Sequence, residues 1–209
     1  MLGFRVLEAV RSAKPMVPVQ SAIYGGMESR ILVFVAIAYP DRRTAAESRL
    51  ELLRIAPDFP GEFGDSVIAS VDGYGTIDLD QAVNLWSLRP KGVTLRTLLG
   101  GLLFLYPLLP VLPADTPQLV AAATRDFGLD ETFMMRLRQM LTPGHAVVFL
   151  LASPAAIALI SDTVAFPVAE QSVDLAKFGA LSLAFEKGQE AAIRQLNTIY
   201  SHDGADDLV

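Results

Sequence analysis

Apolar positions along this chain change their period several times, and each change marks an element. Residues 31–38 read Ile-Leu-Val-Phe-Val-Ala-Ile-Ala, a continuous apolar run rich in β-branched side chains. Its length and composition predict a central strand buried on both faces. Thr44-Ala-Ala-Glu47 then has the spacing of a capping box, with Ala46, Leu50 and Leu53 following on one helical face and Pro57 ending the helix. Residues 66–71 predict a second strand, and Asp72-Gly-Tyr-Gly75 supplies the residues of a tight turn. Residues 76–83 return as a third strand, where Ile77 and Leu79 alternate with Asp78 and Asp80 as they would on a strand with one wet face.

The pattern then breaks. Residues 97–114 are eighteen in a row without a charge, preceded by Arg89, Lys91 and Arg96. A spanning helix needs about 20 apolar residues, and prolines at 107, 110 and 113 interrupt the second half, so a simple membrane span is disfavoured. An interfacial hairpin, a buried helix or an oligomer-facing helix fits better. In that segment Leu98, Leu99, Leu102, Leu103, Phe104, Leu105 and Tyr106 are the candidate membrane or partner contacts. Arg89, Lys91 and Arg96 are the candidate headgroup contacts.

Ordinary grammar resumes at Asp130-Glu131, carboxylates at a helix start, followed by a stripe of Phe133, Met134, Leu137, Met140 and Leu141 that Pro143-Gly144 stops. Residues 146–151 predict another buried strand, and Ser153-Pro154 opens a helix carrying Ile157 and Ile160. No element is assigned to residues 164–178, residues 180–185 resemble a short last strand, and Ala192, Ile193, Leu196, Ile199 and Tyr200 space out an amphipathic helix. With the insertion set aside, the order is the split βαβ rhythm of ferredoxin-like folds. The expected fold is therefore α+β: a ferredoxin-like sandwich with helices on one sheet face and the other face left to pair with a second subunit. Its parts are an N-terminal helical docking extension (1–28), a single domain (29–200) with an apolar helical insertion (94–125), and an acidic tail (201–209).

The extension rests on Phe4, Val6, Leu7 and Val10 at helical spacing, stopped by Pro15 and Pro18. Arg5, Glu8, Arg11 and Lys14 interrupt any signal-like apolar core, so a cleaved signal peptide is not expected. The expected location is cytoplasmic or peripheral to the inner membrane.

Composition narrows the chemistry. The chain has 209 residues, 52% of them hydrophobic, and a net charge of −6. Mean hydropathy is +0.39. No positive field exists to gather phosphates, so nucleic acid is excluded as an expected partner. The absence of cysteine removes disulfides, thiolate metal sites and a thiol nucleophile, and two histidines, His145 and His202, are too few for a multi-histidine cage.

The apolar run at 31–38 with its threonine-led acidic helix, the insertion, Asp126-Phe-Gly-Leu-Asp-Glu-Thr-Phe133 and Leu141-Thr-Pro-Gly-His-Ala-Val-Val-Phe-Leu-Leu151 together resemble domain-of-unknown-function family 1269. The resemblance covers roughly residues 29–200, and residues 126–151 are its most specific piece. It implies an uncharacterised, membrane-associated protein whose insertion is a glycine-rich hydrophobic hairpin. Here only Gly100-Gly101 remain of that richness, and the family brings no catalytic motif.

Direct inspection adds no catalytic site. Asp72, Asp78 and Asp80 lack the closing glutamate of a calcium loop and read as a turn beside a solvated strand. His145 has no framing triad, Gly73-Tyr74-Gly75 opens no helix, and no nucleotide-binding or nucleophile-elbow motif occurs. The stripe of Phe133, Met134 and Met140 reads as core. The leading expectation is a non-catalytic interaction protein that self-assembles as a homo-oligomer or meets a membrane through its insertion, with no cofactor. Two alternatives stand: an accessory subunit of a larger membrane complex, and a small-molecule-binding or enzymatic ferredoxin-like dimer, motivated by the open sheet face and the single Trp86.

Overall fold

A computed structural model describes residues 31–56, 63–81, 95–113, 115–161 and 168–203. The expected extension at 1–28, Pro57, Trp86, Arg89, Lys91 and the last six residues of the acidic tail lie outside the described residues. The rest is an α+β arrangement of one five-stranded antiparallel sheet and, among the described residues, six α-helices.

The strands are β1 (Ile31–Tyr39), β2 (Phe63–Val71), β3 (Ile77–Gln81), β4 (Ala146–Ala152) and β5 (Val168–Asp174). They lie in the order β3-β2-β4-β1-β5, with every neighbouring pair antiparallel. β1 and β4 are central, and the two-residue period divides their apolar runs between two cores. Leu32, Phe34 and Ala36 with Val147, Phe149 and Leu151 face one side, where the rings of Phe34 and Phe149 stack at 5.7 Å. Val33, Val35, Ile37 and Tyr39 with Val148 and Leu150 face the other. A strand can be apolar at every position only when both faces are covered, which is what the run at 31–38 predicts.

On the second face lie α1 (Arg42–Ile55) and α5 (Pro154–Ser161). The cap of α1 is Asp41, whose carboxylate accepts from the Thr44 amide at 2.8 Å and from the Thr44 hydroxyl. This corrects the expected capping box. A carboxylate one turn upstream is the better acceptor for the free amides, and Thr44 serves as its partner rather than as the cap. The apolar face is corrected in part: Ala45 and Ala56 are buried with Leu52 and the expected Ala46 packed beside them, while Leu50 is 55% exposed. α5 begins as predicted, with Ser153 Oγ accepting from the Ala156 amide.

The first face, expected to be open, is closed by the chain itself. It carries α2 (Leu95–Gly100), which continues as a π-helical turn (Gly101–Leu105) and a 3-10 stretch (Tyr106–Val111). α3 (Asp115–Phe127), α4 (Glu131–Met140) and α6 (Phe178–Asp203) complete the layer. The expected open sheet face is therefore overturned, because the surplus leucines of residues 95–112 supply a second helical layer.

α4 starts as predicted, with the Asp130 carboxylate accepting from the Phe133 amide at 2.7 Å, and Phe133, Met134 and Leu137 are core. α3 was not predicted. Its inward stripe is Val120, Thr124 and Phe127, and Thr124 hides its polarity by donating its hydroxyl to the Val120 carbonyl. The strand expected at 180–185 is instead the start of α6, where Leu181, Ala184 and Phe185 turn inward at helical spacing. β5 occupies part of the stretch left unassigned, and its mixed composition suits a strand at the sheet edge.

A candidate interaction surface

The apolar segment 95–113 faces two ways. Leu95, Leu98, Leu99 and Leu102 point into the first-face core at α-helical spacing. The π turn, closed by the Tyr106 amide on the Gly101 carbonyl, then shifts the phase so that Leu103 and Leu105 are buried as well. Pro107 and Pro110 lack the amides an α-helix needs, and the chain tightens to three residues per turn, which keeps Leu109 and Leu112 inward. Gly101 is required in this path because the ring of Phe185 lies where a Cβ would stand.

What remains outside is a ribbon. Phe104 is 47% exposed, Leu108 43% and Val111 62%, with Pro107, Pro110 and Pro113 exposed between and beside them. Of the seven predicted contact residues, Leu98, Leu99, Leu102, Leu103 and Leu105 are committed to this chain's own core. Phe104 faces out, and Tyr106 is half-buried with the Arg138 guanidinium 5.8 Å from its ring centre. Arg96 is exposed one turn before the π segment. Leu108 and Val111 lie outside the contact set expected from the sequence. Their signal was present: with Phe104 they stand four and three residues apart between inward leucines. Among the described residues, no helix is long and apolar enough to cross a membrane.

The aspartates and the histidine singled out in the sequence serve local structure. Asp72 Oδ1 accepts from the amides of Tyr74 and Thr76 at 2.8 Å each, while Gly75 takes φ +85° in the same turn. Those amides, Thr76 foremost, hold the Asp72 carboxyl below its ordinary value. The wet face of β3 is spanned by ion pairs to α1. Asp78 meets Arg42 at 2.7 Å, and Asp80 accepts from Arg49 at 3.1 Å through its side chain and 2.9 Å through its carbonyl. His145 Nδ1 lies 2.9 Å from the Thr142 hydroxyl in an exposed turn. Among the described residues, no cluster of three or more histidine or acidic side chains could hold a metal ion.

Comparison with known proteins yields one family. A model described as "Protein of unknown function (DUF1269)" matches residues 91–185, under half of the 209-residue chain. The match runs from just before α2 through β5 into α6 and includes the segment 126–151, but it leaves out β1, α1, β2 and β3. It is narrower than the span expected from the sequence. No curated protein and no solved structure matches the chain.

Proposed function

We propose that this is a non-catalytic interaction protein whose working surface is the outward ribbon of the insertion, through which it self-associates or rests on a membrane surface. One observation carries the reading: three bulky apolar side chains stand partly exposed within eighteen consecutive uncharged residues. Their exposed area is on the order of 200 Å², and at about 25 cal/mol per Å² its burial is worth roughly 5 kcal/mol before association entropy is charged. That is too little for a tight complex from one copy alone. It suits a symmetric contact, where each copy contributes the same patch, or a shallow lipid contact aided by Arg96. A peripheral location, cytoplasmic or at the inner membrane, accords with this geometry.

The ferredoxin-like reading of the fold belongs to the same proposal. β1-α1-β2 and β4-α5-β5 are each a strand, helix and strand running parallel with one antiparallel strand between them, and both helices lie on one face. This is how two split βαβ units interleave, with β3 added at the edge. The ligand-binding dimer loses its motive, since the sheet face it required is packed with the chain's own leucines.

Light scattering of the full chain after size-exclusion chromatography, run with and without vesicles containing anionic phospholipid, tests the proposal. Wild type should be oligomeric or vesicle-bound, and the double variant F104D/V111D should be monomeric and unbound with little change in melting temperature. A wild type that stays monomeric even at high protein concentration and ignores vesicles overturns the reading. Copurification with a different protein from native membranes would favour the accessory-subunit alternative.

A further inference from the structure

The apolar stripe of α6 outruns the body it packs on. Phe178, Leu181, Ala184, Phe185 and Ala191 are buried along the helix. α3 lies antiparallel to it: the Phe127 and Phe178 rings are 5.9 Å apart, and a Cβ on Gly188 would stand 3.3 Å from Val120. α3 begins at Asp115, five residues before Val120, so it ends beside about residue 193 of α6. Past that point every described side chain of α6 is exposed, Ile193 by 58% and Leu196 by 50%. Leu196 sits on the same side as Phe178 and Phe185, since 18 and 11 residues are close to whole turns of 3.6. The helix thus ends in an apolar ledge.

We infer that the ledge is the seat of this chain's own N-terminal segment, residues 2–14. Three observations select that occupant. The first is pattern and length. Phe4, Val6, Leu7 and Val10 give the segment an apolar side. As a helix of thirteen residues it is about 20 Å long, against about 17 Å for the eleven residues from 193 to 203.

Reach is the second. β1 starts at Ile31, whose cross-strand partner is Asp174, four residues before α6 begins at Phe178. The ledge lies about 22 Å along that helix, and the sixteen residues from 15 to 30 can extend to about 50 Å. Charge is the third. The segment carries Arg5, Arg11 and Lys14 against Glu8, while α6 directs its negative pole to its end at residue 203 and the sequence there is acidic, with Asp203, Asp206 and Asp207. A second copy is the poorer occupant. Two such short ledges would bury well under the roughly 800 Å² per partner of a stable interface, whereas a tethered segment binds at an effective concentration in the millimolar range.

The cysteine-free chain allows a direct test. Spin labels at S12C and Q195C of the full chain, measured by pulsed double electron resonance, should give a narrow distance of about 25 Å or less, as for adjacent helices about 10 Å apart carrying flexible labels. The distance should persist after tenfold dilution with unlabelled wild type. It should broaden in the same chain carrying L196S, or carrying V6D/V10D, with the melting temperature held. A broad distribution in the parent chain overturns the inference, and so does a distance that vanishes on dilution, which would seat a second copy on the ledge. Failure of the chain to oligomerise or bind vesicles would leave this result untouched.

Discussion

Gly128 shows how much one residue without a side chain decides here. Its φ is +112°, and a Cβ would lie 2.4 Å from the Ser172 carbonyl oxygen of β5, so the turn between α3 and α4 can press on the sheet only with glycine in place. G128A should cost about 2–3 kcal/mol in urea unfolding, because both the backbone angle and a rigid neighbour oppose it. At Gly101 the obstacle is the Phe185 ring, which can tilt, so G101A should cost about 1–2 kcal/mol. Asp72 gives a pH signature. Amide donors hold its folded carboxyl below the ordinary aspartate value, so its contribution is present above that value and is lost as pH falls through the lowered one. D72A should therefore be less stable than wild type at neutral pH and converge with it in strong acid, as read from urea midpoints at the two extremes. The turn and its acceptor were legible because Asx chemistry is local: the donors stand two and four residues away in the chain.

At the scale of elements, the apolar segment 95–112 separates two kinds of bulky apolar residue that look alike in sequence. Leu98 is fully buried while Phe104, six residues later, is half outside. L98A should cost about 2–5 kcal/mol through cavity formation, whereas F104S should cost about 1 kcal/mol or less and act on association instead. Denaturation and light scattering of the two variants would show the split. The ribbon was only partly legible because its direction depends on the π turn and the proline-tightened turns after it, each of which rotates the residues that follow. α3 escaped notice since a threonine stands in its buried stripe, and its hydroxyl is satisfied by a carbonyl one turn back only once the helix exists. α6 was broken into a strand and a helix because Leu-Ser-Leu-Ala-Phe alternates over a short window, and the helical packing of Leu181, Ala184 and Phe185 against the insertion outweighs that local preference.

For the whole molecule, the governing event is closure of both sheet faces. The central strands carry apolar residues at every position, so a sheet open on one side would leave Phe34, Phe149 and their neighbours in water. Residues 95–112 answer that demand from within the chain, and what stays outside is a narrow ribbon there and a ledge on α6 rather than a broad sheet surface. Association through the ribbon should accordingly be weak and patch-limited, with wild-type dissociation at micromolar or higher concentration in the absence of lipid. Sedimentation velocity across a concentration series would measure it, and a nanomolar complex would require a larger interface than this one.

Strands β1 and β4, the Asp72 turn and the helix starts at Asp130 and Ser153 were determined by the sequence itself, because each rests on partners within a few residues or on an uninterrupted apolar run. Tertiary structure alone decided which leucines of residues 95–112 enter the core, that Thr124 is buried, that the first sheet face is covered, and where α6 runs past its support. Those outcomes depend on surfaces contributed by segments distant in the chain. Apolar composition states how much surface must be hidden, and only the packed layers determine what hides it.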